Sequence, residues 1–303
     1  MTISQETETF FNKPVAAFVP GEAIDTGKSV YRLALDYDDE KEMVVLIDEF
    51  LAQADKAELD ALIIGSWGAP AENGVEDILA KLVALAPELP KLRALFIGDM
   101  TFEECEISWI IQGDYTPLLA AFPQLEALRI RGGTDLEISP FTHQALRSFT
   151  IESGGLPAGV AESLAASSMP KLAHLELWLG TEEYGFSGDV ALYRRVLDAL
   201  LTPELKYLGL RDSEIADELA VMLASHPVLG QLDTLDLSLG TIGDTGAEAL
   251  YGSQLVARLT CLNLSHHYIS AAWQAKLGTL PLQVLLDDPA QEDDGDRYVA
   301  VGE

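Results

Sequence analysis

The sequence predicts an α/β fold of one kind, a right-handed solenoid bent into a horseshoe with a parallel sheet on its concave side and helices outside. Two observations carry this. A hexad of the form Leu-x-x-Leu-x-Leu, or an aliphatic or Phe variant of it, returns eight times, as LDALII, LRALFI, LEALRI, LRSFTI, LAHLEL, LKYLGL, LDTLDL and LTCLNL. The copies begin at Leu59, Leu92, Leu125, Leu146, Leu172, Leu205, Leu232 and Leu259. The second observation lies between the copies. After LDTLDL, Ile242 is followed by Asp244, a helix-capping residue type, and then by the helical run Ala247 to Leu250. A strand, a turn and a helix in about 27 residues form a unit that buries its apolar side only against copies of itself.

The chain in order fills out this frame. Residues 1 to about 29 are expected to be irregular, since Pro14, Pro20, Gly21 and Gly27 interrupt any period. The segment GEAIDTGKS fails as a phosphate-binding loop: five residues separate its glycines where four are needed, and Lys28-Ser29 lead into strand-like VYRLAL. Val30, Leu33 and Leu35 make a weaker strand, and Met43 to Ala54 a helix with Val44, Ile47, Phe50 and Leu51 on one face. This strand and helix are expected to cap the open end. Between them Asp36, Asp38 and Glu40 are spaced as in a calcium loop, but Ile47 stands where the closing Glu belongs, so a solvated turn is expected. Val190 to Leu201 reads as a full helix with a stripe of Val190, Tyr193, Val196, Leu197, Leu200 and Leu201. The interval from Leu125 to Leu146 is the shortest and leaves room only for a turn or a short 3₁₀ segment. The expected organisation is residues 1–58 as an N-terminal segment with a capping strand and helix, 59–286 as repeats, and 287–303 as an acidic tail. That tail is expected to be mobile or to cover an edge, with Tyr298, Val299 and Val301 adding a last strand.

On these motifs the chain resembles leucine-rich repeat proteins. Its last full units, LDTLDLSLGTIGDTGAEAL and LTCLNLSHHYISAAWQAKL, resemble the ribonuclease-inhibitor-like subtype. With SHHYIS and the ending DGDRYVAVGE, the chain is also similar to a bacterial leucine-rich repeat family of unknown function. The resemblance implies the fold and, by analogy, an inhibitor or adaptor role, but a fold hosts many functions. One departure is plain. The ninth motif position, usually Asn or Cys, holds Trp67, Met100, Gly133, Gly154, Gly180, Ser213, Gly240 and His267. The usual side-chain ladder in the turn is therefore expected to be missing, and the four glycines suggest positive φ.

Composition narrows function. Nineteen Lys and Arg against 49 Asp and Glu give a formal charge of −30, which repels nucleic acid and anionic lipid and favours a basic protein partner or simple solubility. Cys105 and Cys261 lie far apart, as unpaired thiols of a reducing cytoplasm do. The first residues lack a signal-peptide pattern and no apolar run reaches membrane-spanning length, so a cytoplasmic protein is expected.

Alternation along a strand turns the third, fifth and seventh motif positions toward the concave surface. The candidate partner-binding residues on it are Phe96, Arg129, Arg131, Glu152, His174, Trp178, Tyr207 and Arg211, with Ile63 exposed beside them and Trp67 at the rim. Aromatic and Arg side chains dominate binding hot spots. Against that stand two structural roles, Arg131 paired with Glu152 of the next repeat and Arg211 lying over Trp178. If residues 1–29 covered the concave face, the aromatics would be core. Catalytic patterns are poor. His266-His267-Tyr268 near Cys261 lacks metal-ligand spacing, and His174 with Glu176 lacks a nucleophile or oxyanion donors. No cofactor or metal is expected. The reading is a non-catalytic protein-interaction module, an adaptor, scaffold or inhibitor holding a protein or peptide on the concave sheet. The alternatives are an enzyme subunit using His174, Glu176 and Arg211, or an acidic decoy of nucleic-acid-binding proteins.

Overall fold

The computed structural model describes residues 3–302. Among them a single sheet of twelve strands follows sequence order from one end to the other. The strands are β1 (Thr9–Phe10), β2 (Lys13–Ala17), β3 (Val30–Leu35), β4 (Ala61–Trp67), β5 (Ala94–Ile97) and β6 (Ala127–Arg131), then β7 (Ser148–Glu152), β8 (His174–Gly180), β9 (Tyr207–Ser213), β10 (Thr234–Asp236), β11 (Cys261–Asn263) and β12 (Gln283–Leu285). Only β1 and β2 pair antiparallel; every later neighbour is parallel. The helices are α1 (Met43–Gln53), α2 (Glu76–Leu85), α3 (Thr116–Ala121), α4 (Ala158–Ala165), α5 (Val190–Ala199), α6 (Ala216–Leu223), α7 (Asp244–Tyr251) and α8 (Ala271–Leu277). This is a leucine-rich repeat solenoid. No described helix is long and apolar enough to cross a membrane.

The hexad repeat causes the register. Leu62, Leu95, Leu128, Phe149, Leu175, Leu208, Leu235 and Leu262 pair in one unbroken column across β4 to β11. All eight are buried, in one core with the inner faces of the helices. A one-residue slip would put that column into solvent, so burial specifies the pairing. Between β6 and β7, the shortest interval, no helix forms among the described residues.

Several local expectations need correction. The segment before Val30 is not irregular, because β1 and β2 form there and β2 extends the sheet beyond β3 through Val15 opposite Val30. The outermost strand is thus β1, not β3. On α5, Leu201 lies beyond the helix and is 40% exposed, while Leu192 joins the buried stripe. Asp244 does not cap α7. Asp217 of the preceding repeat does so, its Oδ1 accepting from the N–H groups of Gly243 and Gly246 at 2.8 Å each, and Asp244 accepts from Ser270 N–H. At the ninth position only Gly180 of the four glycines has positive φ, at 69°. Gly240 is there for space, since a Cβ on it would lie 2.7 Å from Ser213 O. The turn ladder survives in part, with Ser213 Oγ accepting from Ile215 N–H at 3.2 Å and His267 Nδ1 from Ile269 N–H at 3.1 Å.

The acidic tail neither floats nor makes a last strand. It turns back along the ends of the strands, where Ala300 N–H donates to Leu239 O, Val301 N–H to Asp212 Oδ1, and Ser108 Oγ to Gly302 O. From the other terminus, Phe102 N–H donates to Ile3 O and Thr7 Oγ1 to Asp99 Oδ1. The two ends meet in a small apolar cluster of Ile3, Ile107, Trp178, Leu239, Ala300 and Val301.

Candidate functional site

Register places the outward residues as alternation requires. Phe96, Arg129, Thr150, Glu176 and Gly209 form one row across β5 to β9. Arg131 lies opposite Glu152, Trp178 opposite Arg211, and His174 opposite Tyr207. One face is therefore common to all eight candidate residues, but exposure divides them.

Four are buried, contrary to an open aromatic face. Phe96 is 0% exposed because Phe10, Phe11 and Val15 pack over it together with Ala61, Ile63 and Ala94. Trp178 is 7% exposed, under Ile3, Ala300 and Val301. Arg131 and Glu152 are buried between these covers. Trp67, expected at the rim, is also buried, and its Nε1–H donates to Asn73 O at 2.8 Å. For Phe96 and Trp178 the physical reason is the same: outward apolar side chains attract any flanking segment able to remove them from water, whereas Trp67 belongs to the inward core.

The remaining four candidates are open. Arg129, His174 and Arg211 keep side-chain exposures of 31%, 35% and 20%, and Tyr207 is half-buried. Arg129, His174 and Arg211, with Arg147, Thr150 and Glu176, line a groove of about 590 Å³ bounded on one side by Thr9 to Asn12. His174 stacks on Tyr207 with ring centroids 4.0 Å apart and planes 9° from parallel. Tyr207 Oη donates to Asp236 Oδ2 at 3.0 Å, so the pair is held from beneath.

A chain of charges runs under the groove floor. Glu152 accepts from Arg129 Nε and Arg131 Nε, at 2.6 Å each, and Arg131 reaches Asp99 at 3.5 Å. Asp99 in turn lies 3.4 Å from Arg32, which also pairs with Glu104. Further along, Glu176 accepts from Trp178 Nε1 at 2.7 Å and Arg211 Nη1 at 2.8 Å, with His174 Nε2 at 3.4 Å. Arg129 lies over the Phe96 ring at 4.5 Å and Arg211 over Trp178 at 4.9 Å. Burial alone would raise the Glu152 carboxyl, but Arg129 and Arg131 outweigh it and hold it below the ordinary glutamate value. Burial likewise opposes ionisation of Glu176, and the hydrogen bond with His174, the Arg211 charge and the Trp178 N–H overcome it, leaving Glu176 strongly acidic.

A carboxylate so stabilised is a poor proton acceptor, which counts against Glu176 as a general base. His266 and His267 point apart. His267 is buried with Nε2 3.3 Å from Leu286 O, whereas His266 Nε2 is 3.2 Å from Tyr298 O. Among the described residues no group of three or more His, Cys, Asp or Glu side chains is placed to hold a metal.

Sequence reasoning missed Asp99, Arg32 and Asp212, and it did not name Ile3, Phe10, Phe11, Ala300 and Val301 as covering residues. A signal existed for the last four. Phe10-Phe11 and the run Val299, Ala300, Val301 are apolar clusters in otherwise polar termini. No comparable signal marks the acids, which are a few among 49.

A protein from Bacteroides fragilis with a known crystal structure is similar to the chain at 33% identity over 90% of this chain and 77% of that one, with a TM-score of 0.81. The chain belongs to that protein's family. An internalin from Listeria monocytogenes shares 17% identity over 88% of this chain and 69% of its own, with a TM-score of 0.40. TLR13, in a complex with ssRNA13, shares 14% over 87% of this chain and 35% of its own, with a TM-score of 0.45. Both superpose too loosely to bear on the groove. No family profile matches the chain, and no curated protein does.

Proposed function

We propose that the chain is a non-catalytic protein-interaction module, and that its partner, a protein or peptide, sits in the groove over β6 to β9. The observation that carries this reading is the open stretch of concave sheet where His174 stacks on Tyr207 between Arg129 and Arg211. Arg129 and Arg211 are tethered to buried or nearly buried carboxylates, so little side-chain entropy is lost when a partner is held. The Arg147 side chain, exposed at the groove edge, has no hydrogen bond or ion pair among the described residues. Saturation of Glu176 by three donors speaks against chemistry there. The charge of −30 favours a basic protein as the body of the partner, steering its approach at low ionic strength.

Placing a photo-reactive residue at Ser148, in the groove, and at Arg194, on the outer face of α5, tests the reading. With the proteins of the native cell present, a specific covalent adduct is expected from position 148 alone. Capture should weaken in an Arg147→Glu, His174→Ala double variant that melts like the wild type. An adduct from position 194 alone, or capture indifferent to the double variant, would move the interface off the concave face.

A further inference from the structure

The end of the chain behaves as a ligand of the solenoid. Residues 291–296 are all exposed, and Asp294 and Gly295, at φ of 52° and 93°, make a tight turn closed by Asp293 N–H to Asp296 O at 3.0 Å, so a solvated turn leads into the strap. Beyond it the chain seats two adjacent small apolar side chains, Ala300 and Val301, against Trp178, Ile107 and Leu239. Their main chain is read by three hydrogen bonds: Ala300 N–H to Leu239 O at 2.7 Å, Val301 N–H to Asp212 Oδ1 at 2.9 Å and Ser108 Oγ to Gly302 O at 2.8 Å. Main-chain bonds with pockets for small side chains are how extended peptides are recognised.

The unpaired Asp212 oxygen and the open volume beside the strap point beyond the tail that fills the slot, and Gly154 shows how closely the tail is seated. Asp212 is fully buried, yet among the described residues its Oδ2 has no hydrogen-bond partner, and its φ is 50°. A buried unpaired oxygen on a strained backbone is a cost that packing alone does not explain. Gly154 leaves room for the strap, since a Cβ there would lie 2.9 Å from Gly302 O. Alongside the strap about 570 Å³ stays open, lined by Thr181, Glu183, Tyr184 and Glu214 on one side and by the tail itself on the other. The anchor before the slot, Arg297, pairs with Asp217 at 3.2 Å and Glu292 at 2.8 Å while staying 31% exposed, a contact worth little in water.

We propose that this slot is a second peptide-binding site, closed in cis by residues 298–302. A partner protein opens it in trans with an extended segment bearing two adjacent small apolar residues. The site is separate from the groove over β6 to β9 and does not depend on it. A tether makes the tail a competitor at an effective concentration of about millimolar, so an invading segment is weakened by about the ratio of that concentration to the tail's own dissociation constant. The buried contact is two small side chains, which puts displacement within reach of an ordinary peptide ligand.

The test uses the octapeptide DRYVAVGE, the chain's own last eight residues, as the probe. A chain ended after Asp296 should bind it saturably, with a change in Trp178 fluorescence that is absent in the Trp178→Phe form of that chain. The full chain should bind it at least about tenfold more weakly, because its slot is filled. The same peptide with Asp in place of its second valine should not bind. If the shortened chain does not fold, the full-length Val301→Asp variant serves instead, since it unseats the strap without removing it. Equal affinity of the full and opened chains would overturn the proposal, as would the absence of binding to an opened chain with a native circular dichroism spectrum. A full-length dimer joined by exchanged tails would also overturn it, since the slot would then serve self-assembly rather than a different protein.

Discussion

Phe96 and His174 stand on the same outward face of the same sheet, yet one is core and the other is surface. Around β4 and β5 the outward positions are Ala61, Ile63, Ala94 and Phe96, all apolar, and Phe10 and Phe11 have folded over them. Around β8 and β9 they include His174, Tyr207 and Arg211, and these remain in contact with solvent. The difference is one of composition acting through a distant segment. An apolar patch gains by being covered at about 25 cal/mol per Å², whereas a charged patch loses hydration when it is covered. Position in the repeat decides which way a side chain points. It does not decide whether that side chain is a site.

The comparison can be broken most severely on its covered side. Phe96→Ala should destabilise the fold by about 3–5 kcal/mol, since it opens a cavity beneath Phe10 and removes the surface Arg129 lies on. Glu152→Ala should cost about 3–5 kcal/mol as well, because it leaves Arg131 buried without its principal partner. Urea unfolding of each variant measures both. A loss under about 1 kcal/mol at Phe96 would mean that the N-terminal cover is not part of the stable fold.

Acid sharpens the comparison. Glu152 and Glu176 have folded pKa values below their unfolded ones, so their stabilisation is full at neutral pH and is lost as pH falls below about 4.3. Glu152→Gln should therefore lower the melting temperature at pH 7 and flatten its fall between pH 5 and 3. Asp212 has the opposite sign. Burial raises its carboxyl well above the ordinary aspartate value, so its contribution is full below about pH 3.9 and is lost as pH rises through the folded value. Asp212→Asn, which keeps an acceptor for Val301 N–H, should raise the melting temperature at pH 8 by about 2–4 °C relative to wild type and change it less at pH 5. The smallest effect belongs to the open side: Arg147→Glu should change stability by under about 0.5 kcal/mol while reducing partner capture.

Much of the fold was legible because burial enforced it. Leu235 and Leu262 could be assigned to one inward column from spacing alone, since a parallel stack has no other way to bury them. The pairs Arg131–Glu152 and Arg211–Trp178 were legible too, because neighbours in adjacent repeats share a register position. Asp217 capping α7 in place of Asp244 was not. The donor groups belong to one repeat and the acceptor to another, and which carboxylate arrives depends on the offset between helices. The strap was hidden for a related reason. Its acidic residues argued for a mobile tail or an edge cover, and the few apolar ones that bind are overridden in any average over the segment.

By itself the sequence determined the positions of the repeat strands β4 to β11, the inward column, the outward direction of the eight candidate side chains and the acidity of the chain. Those follow from a period of two within strands and from the return of the hexad between them, both local in the chain. Only the tertiary structure decided which part of the concave face is open. That depended on Ile3, Phe10 and Phe11 from one end and Ala300 and Val301 from the other closing over Phe96 and Trp178. Contacts between Ser108 and Gly302 span 194 positions, and no periodicity carries information over that distance.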